Sequence, residues 1–455
     1  MSNSHPEIGC PVGNKLQATI LAAVTSMAKN QLGDYHAPHI GHYPEVFGWD
    51  SPMHAIGVRH HDPKLAAAEL SRLFRGQWQN GMLPNIQFPR HGETVSSTLW
   101  SSRILGNGNA PRHTRTSGIT QPPLASEAIW LVGKKLAADD RKIFWKSIVP
   151  KLTNYHTWLY ADRCAKKDGL IEVVHPWESG MDNTPPLIEA MRQLEWGKSH
   201  DILGACNKVL RRFRKDLHYV DSNERSSDEE AVLQTVALLS LIKNRYDARG
   251  LQDFHPMHIA DVGFNSILAR ANSVLGALAT ETNTVLPEDL RASVQLTRDN
   301  LSLLKDPSTG LFFSRQRNGH LITIPTAASL LPLYSGALTP SETDALIAHL
   351  KNTASFWQPY GIPTVPINSR YFSDNRYWSG AVWGNIEWML ATGLARSGQH
   401  ELAYAITNTT LRTNPNFHEY HSSLTGQGYG VAPFSWSASV RLDLAHRPND
   451  TSWQD

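Results

Sequence analysis

FNSILARANSVLGALATET, residues 264–282, decides the fold class. Phe264, Ile267, Leu268, Ala271, Val274, Leu275 and Leu278 recur at three- and four-residue steps. That is the spacing of one helix face, whereas a half-buried strand alternates every second residue. The same period governs residues 15–31, 64–77, 124–137, 140–164, 229–250, 288–304, 342–354, 384–398 and 400–413. Start signals fit some of them: Ser341 with Asp344 is expected to cap one helix, and Pro287 with Glu288 and Asp289 to open another. Strand signals are short, the best being GLFFSRQ from Gly310 and LITIP from Leu321, a possible hairpin excursion. About a dozen helices with no alternation of strand and helix predict an all-α fold.

At 455 residues the chain exceeds the usual single core, yet no low-complexity tract or linker divides it. A single domain over residues 1–455 with loop insertions is therefore expected. Lys+Arg 43 against Asp+Glu 41 leaves a net charge of +2, which argues against nucleic acid or an anionic membrane as partner. No apolar run reaches the length of a membrane span. Cys10, Cys164 and Cys206 are odd in number and far apart, so neither a disulfide framework nor a cysteine metal site is indicated. With a polar, proline-broken N-terminus that does not read as a signal peptide, a reducing cytoplasm is the expected compartment.

Long loops rich in Gly, Pro, Trp and Tyr separate the helices, at residues 42–52, 82–92, 116–123, 368–385 and 416–438. Such loops are uncommon in a compact domain unless they serve a site. They follow helix pairs, as expected if every second connection gathers at one end of a closed barrel. Within them, Asp50 follows Trp49, Asp182 sits in HPWESGMDNTPP (residues 175–186), and Glu419 sits in NFHEYH. A carboxyl group among aromatics is poorly solvated and keeps its proton, which suits a general acid. Trp177, Tyr377, Trp378, Trp383 and Trp436 share the same loops. Indole faces beside carboxylates fit a sugar cleft better than a phosphate site. HExxH, GxSxG, Walker A and GxGxxG motifs are missing from the sequence. The 21 histidines, with His36, His39 and His42 at three-residue steps and His54, His60 and His61 close behind, raise a metal site. The proline and glycine in HAPHIGH speak against a helical ligand face, and no metal or cofactor is expected.

The loops HPWESGMDNTP, YWSGAVWGN and FHEYHSSLTGQGYG…FSWSA resemble the signature loops of glycoside hydrolase family 63, most closely its short bacterial mannosylglycerate and glucosylglycerate hydrolases. GWDSPMHAIG, MLPNIQF and TSGITQPP follow in the family's order. The resemblance implies an (α/α)6 barrel whose aromatic-rich loops cover one end. It also implies an inverting, exo-acting hydrolase of a small α-glucoside or α-mannoside, best matched by a glycerate glycoside. Asp182 is then the general acid and Glu419 the general base, their carboxyls about 6.5–9.5 Å apart in such enzymes. Trp49 and Asp50 are implied to hold the sugar, with Gln121 and the wall of Tyr377, Trp378 and Trp383. Tyr43, Gln87, Trp177, Glu178, Gly180, Arg225 and Trp436 complete the set expected to line the substrate. The chain departs from the family at Ser379, where an arginine is usual, and at Ala231, where the glycerate hydrolases have a tyrosine. Arg225, Arg90, Arg112, Arg115 and Arg376 are candidates to hold an aglycone carboxylate. A small carbohydrate is the only partner implied, with a homo-oligomer possible. A glucosylglycerol or disaccharide glucosidase, a phosphorylase, a sugar-binding protein without activity and an epimerase built on paired histidines are the alternatives.

Overall fold

The computed structural model describes residues 13–89, 101–102, 107–192, 221, 223–251 and 257–447. Helix dominates these residues. The helices are α1 (Gly13–Lys29), α2 (Asp50–Val58), α3 (Pro63–Leu73), α4 (Ala125–Lys135), α5 (Ala138–Arg163), α6 (Pro185–Arg192), α7 (Asp228–Lys243), α8 (Val262–Thr282), α9 (Glu288–Asn300), α10 (Pro332–Ser335), α11 (Pro340–Leu350), α12 (Gly384–Arg396), α13 (His400–Arg412) and α14 (Ser435–His446). Six of them close a cycle of contacts: α14 packs on α2, α2 on α4, α4 on α8, α8 on α10, α10 on α12, and α12 on α14. Outside this ring, α1 lies on α14, α3 on α2 and α4, α5 on α4 and α8, α9 on α8, and α13 on α12 and α14.

Ring helices have neighbours on both flanks and the core behind, so α2 and α14 keep almost no solvent-facing side. Every residue of α2 is buried, as is Ser435 to Ala445 of α14. That is why the sequence reading missed both, assigning the start of each to a loop: a helix with no polar face has no amphipathic period to detect. Small residues let these two helices touch. A Cβ on Gly57 would lie 2.3 Å from Ser439 Oγ, which instead receives the Gly57 amide at 3.0 Å. The short helices α6 and α10 were also missed. The cap expected at Ser341 and Asp344 is corrected to Thr339. Pro340 occupies the first helical position, and Thr339 and Glu342 form a reciprocal capping box.

Three small antiparallel sheets brace the loops: β1 (Val46–Phe47) with β2 (Ile86–Gln87); β3 (Glu172–Val173), β4 (Ile259–Ala260) and β5 (Arg315–Gln316); and β6 (Tyr420–His421) with β7 (Gly428–Tyr429). The expected hairpin forms, with the Ile322 amide on Ser314 O at 2.8 Å and Arg315 bridging Leu321. Its first arm also joins β4, and β3 on the far side leads directly into residues 175–186.

Inside the ring the buried charges are paired. Glu127 of α4 receives Arg270 of α8 at 2.8 Å and Arg396 of α12 at 2.5 Å. The two guanidiniums hold its carboxyl down at about 2 against the opposing effect of burial. Removing one member of such a cluster strands the others in a dry interior. Glu127→Ala is therefore expected to lower the unfolding free energy by about 3–5 kcal/mol, read from chemical denaturation.

Candidate active site

Residues 175–184 are built as a rigid bracket. His175 Nδ1 accepts the Trp177 amide at 3.2 Å, which leaves the proton on Nε2 to donate to Gln234 O at 3.0 Å. Pro176–Ser179 forms a single 3-10 turn. Glu178, expected to face the sugar, does not: its carboxylate takes Arg163 Nη2 at 2.9 Å, the Val174 amide at 2.8 Å and the Thr120 amide at 3.2 Å. It is fully buried, and its hydrogen-bonding capacity is used to anchor the loop. Gly180 has φ +77, and a Cβ there would lie 2.6 Å from the Trp49 ring, so the turn passes against that indole only as glycine. The Asp182 carbonyl accepts Gln234 Nε2 at 3.0 Å, and Asn183 Oδ1 accepts the Trp378 amide at 2.9 Å. The backbone on both sides of Asp182 is thereby fixed.

Glu419 lies one residue before β6. Its amide bonds Val431 O at 2.9 Å, and its side chain is 2% exposed. Among the described residues its Oε2 has no hydrogen-bond partner. A Cβ on Gly430 (φ +68) would lie 2.7 Å from that oxygen. Residues the sequence did not single out hold this strand. Asp374 accepts the Ser423 amide at 2.9 Å and Ser423 Oγ at 3.1 Å, the Glu224 carboxylate accepts the Gly430 amide at 3.0 Å, and Tyr420 OH donates to Glu224 O at 2.8 Å.

Asp50 is the first residue of α2, and Trp383 and Phe434 are the N-caps of α12 and α14, so the site gathers at N-terminal ends of ring helices. Burial pushes the Asp50 carboxyl up to about 8, with the Asp182 charge adding to it. Burial pushes Asp182 up to about 7. Glu419 is pushed up to about 8 by burial, then by the charges of Asp50 and Asp182, against one backbone hydrogen bond that lowers it. The Tyr377 phenol is raised by burial and by Tyr43, Asp182 and Glu419 around it. These mutual effects place Tyr43, Asp50, Asp182, Tyr377 and Glu419 in one electrostatic cluster.

An aromatic floor supports the cluster. Trp378 and Trp383 stack at 3.8 Å, Trp383 lies 4.8 Å over Tyr420, and Trp436 stands edge-on to Trp49 and Trp383 at 5.4 Å each. Trp378 and Trp383 are each 1% exposed, so their faces are taken up by one another and by neighbouring rings rather than left open as platforms. Gln121 serves the cleft indirectly, its Oε1 accepting the Trp49 amide at 3.2 Å. Gln87 is turned into the wall, donating to Leu73 O at 2.5 Å. Of the arginines, Arg376 pairs with Glu230 at 2.8 Å, Arg115 donates to Pro89 O at 2.8 Å, Arg112 is exposed, and Arg225 is half-buried next to Glu224. Arg90 lies outside the described residues. The N-terminal histidines disperse: His36 and His54 meet Glu69, while His60 meets Asp443 at 3.0 Å and stacks on His446. Among the described residues no three His, Cys, Asp or Glu groups are arranged to hold a metal ion. None of the described helices is long and apolar enough to cross a membrane.

Comparison with known proteins finds relatives over most of the chain. Residues 43–437 match the "Mannosylglycerate hydrolase MGH1-like glycoside hydrolase domain". A mannosylglycerate hydrolase of Thermus thermophilus is 34% identical over 430 residues, spanning 93% of this chain and 99% of that one. A glucosylglycerate hydrolase of Mycolicibacterium hassiacum is 30% identical over 419 residues, spanning 88% of this chain and 92% of that one. The crystal structure of a family 63 mannosylglycerate hydrolase from Thermus thermophilus, in complex with Tris and D-glycerate, superposes with a TM-score of 0.82. It is 32% identical and covers 93% of this chain and 99% of that one. The protein is thus a glycoside hydrolase. The chain belongs to the MGH1-like glycoside hydrolases of family 63.

Carboxyls whose folded pKa lies above the unfolded value hold their protons more tightly when folded. Their contribution to stability is complete below about pH 4 and is lost as pH rises towards the folded values of about 7 to 8. Glu419→Gln removes a group that must ionise in a dry cleft. Its melting temperature is expected to gain on the parent's as pH rises from about 5 to 9. Thermal unfolding across that range checks this; a gap that stays constant would show that Glu419 is well solvated.

Proposed function

We propose that the protein is an inverting, exo-acting hydrolase of small α-glycosides of glycerate, built on an (α/α)6 barrel. The closed cycle of six ring helices with partners outside it supports the barrel. The observation that carries the chemistry is the burial of Asp182 and Glu419 in one cluster, each coming from a loop fixed independently of the other. Protonated Asp182 gives its proton to the glycosidic oxygen as the bond to the anomeric carbon breaks. Ionised Glu419 takes a proton from a water that attacks that carbon on the opposite face. The trio with Asp50 titrates as a set, so the working microstate is the one with the proton on Asp182 and the charge on Glu419. Asp50, at the start of α2, binds hydroxyls of the sugar, and Trp49, Tyr43 and Tyr377 shape the pocket around it.

The relatives named for mannosylglycerate and glucosylglycerate hydrolysis support a glycerate aglycone. Arg225, beside the strap that Glu224 forms to Tyr420 and Gly430, is the proposed partner of its carboxylate. The sparse, scattered cysteines support a reducing cytoplasm as the compartment.

Asp182→Asn and Glu419→Gln are each expected to lower kcat by about a thousandfold or more, with folding and sugar binding retained. Near-native turnover in either variant removes the mechanism. Proton NMR of fresh product from α-mannosyl- or α-glucosylglycerate is expected to show the β-anomer first; the α-anomer first would mean retention.

A further inference from the structure

The histidine-rich N-terminal stretch has no part in the reaction as proposed, yet two of its members converge on one carboxylate. Glu69 of α3 is fully buried, with His36 Nδ1 on its Oε2 at 2.7 Å and His54 Nδ1 on its Oε1 at 3.1 Å. His36 and His54 are themselves 1% and 0% exposed. Burial holds His54 neutral, and among the described residues its Nε2 has no hydrogen-bond partner. The single proton of that ring therefore sits on Nδ1 and points at Glu69. Both hydrogen bonds then run from imidazole N–H to an ionised carboxylate, the stronger kind.

What these imidazoles are attached to gives the contact its meaning. His54 is one helical turn after Asp50 on α2, and so lies on the same face of that helix. His36 begins the segment that leads to Tyr43, and further contacts along it come from Asn30 and Ser435. Asn30 Oδ1 accepts the Ile40 amide at 3.1 Å, and the Ser435 amide of α14 donates to Pro38 O at 2.9 Å. Glu69 thus grips from the wall both the helix bearing Asp50 and the strand of chain bearing Tyr43. A monodentate or neutral partner could hold only one of them at charge-assisted strength.

We propose that Glu69 is a positioning residue: through His54 and His36 it sets the distance between Asp50 and Tyr43 across the sugar pocket. This rests on the reading above, in which Asp50 binds the sugar. A glutamine at position 69 offers one oxygen and one N–H₂, so one imidazole loses its acceptor while the volume is kept. Glu69→Gln, assayed well below its melting temperature, is expected to raise KM for the hydrolysed glycoside about tenfold, with a smaller fall in kcat. Glu69→Asp, which keeps the charge, is expected to recover most of the loss. In an Asp50→Asn background Glu69→Gln is expected to lower kcat/KM by a smaller factor than in the parent, because of its two routes only the one through His36 and Tyr43 remains. Native kcat and KM in Glu69→Gln overturn the proposal, as does a Glu69→Gln effect that is the same with and without Asp50. Unchanged kcat/KM in Asp50→Asn alone instead overturns the assignment of Asp50 to the sugar, so the two failures are told apart.

Discussion

Keeping water away from mutually repelling carboxyl groups is the constraint on which the rest of the structure depends. Asp50, Asp182 and Glu419 raise one another's proton affinity or have it raised by burial. A solvated cleft would let all three ionise at neutral pH. Dryness comes from the indole floor, where Trp49, Trp378, Trp383 and Trp436 pack on each other and exclude solvent. The arrangement opposes stability in order to serve chemistry, as strained or desolvated groups at functional sites commonly do.

Holding such groups in place calls for rigid support, and the molecule supplies it with hydrogen bonds that never touch the reacting carboxyls. Asn183 joins the Asp182 loop to the Trp378 turn, and Asp374 and Glu224 pin the hairpin that follows Glu419. Glu178 anchors the Asp182 loop to Arg163 and to the loop before α4. Asn183 and Glu178 are as buried as the core, where a missing contact would be expensive. Elsewhere the ring is held by contacts of a different kind: backbone approaching backbone at Gly57, and ion clusters around Glu127 and Asp443.

Outer helices were legible because they have two faces. The periods at residues 15–31, 64–77 and 400–413 correspond to α1, α3 and α13, each with one side in water. The ring helices α2 and α14 were not, because burial on every side erases the pattern that periodicity detects. In the site, Asp50, Asp182 and Glu419 stood out as carboxylates among aromatics, and the structure gathers them. Glu178, in the same stretch, was placed with the residues lining the substrate and is instead an anchor, since its neighbours in space, Arg163 and Thr120, are distant in sequence. Gln87 misled for the same reason: its direction is set by Leu73 and Gly76, across the wall from the cleft. Asn183, Glu224 and Asp374 carry no local signal, because a polar residue in a loop looks the same whether it braces a strand or faces water.

By itself, then, the sequence determined that the chain is helical, that its loops are rich in aromatics and acids, and which carboxylates have surroundings fit for proton transfer. Those properties are local: they follow from residue type, spacing and immediate neighbours. Only the tertiary structure decided that Asp182 and Glu419 act on each other electrostatically, that Glu178 is spent on an arginine, and that His36 and His54 converge on Glu69. Each of those depends on partners brought together across the ring. The pairing energy of a buried charge is fixed by what lies within a few ångströms of it, not by what precedes it in the chain.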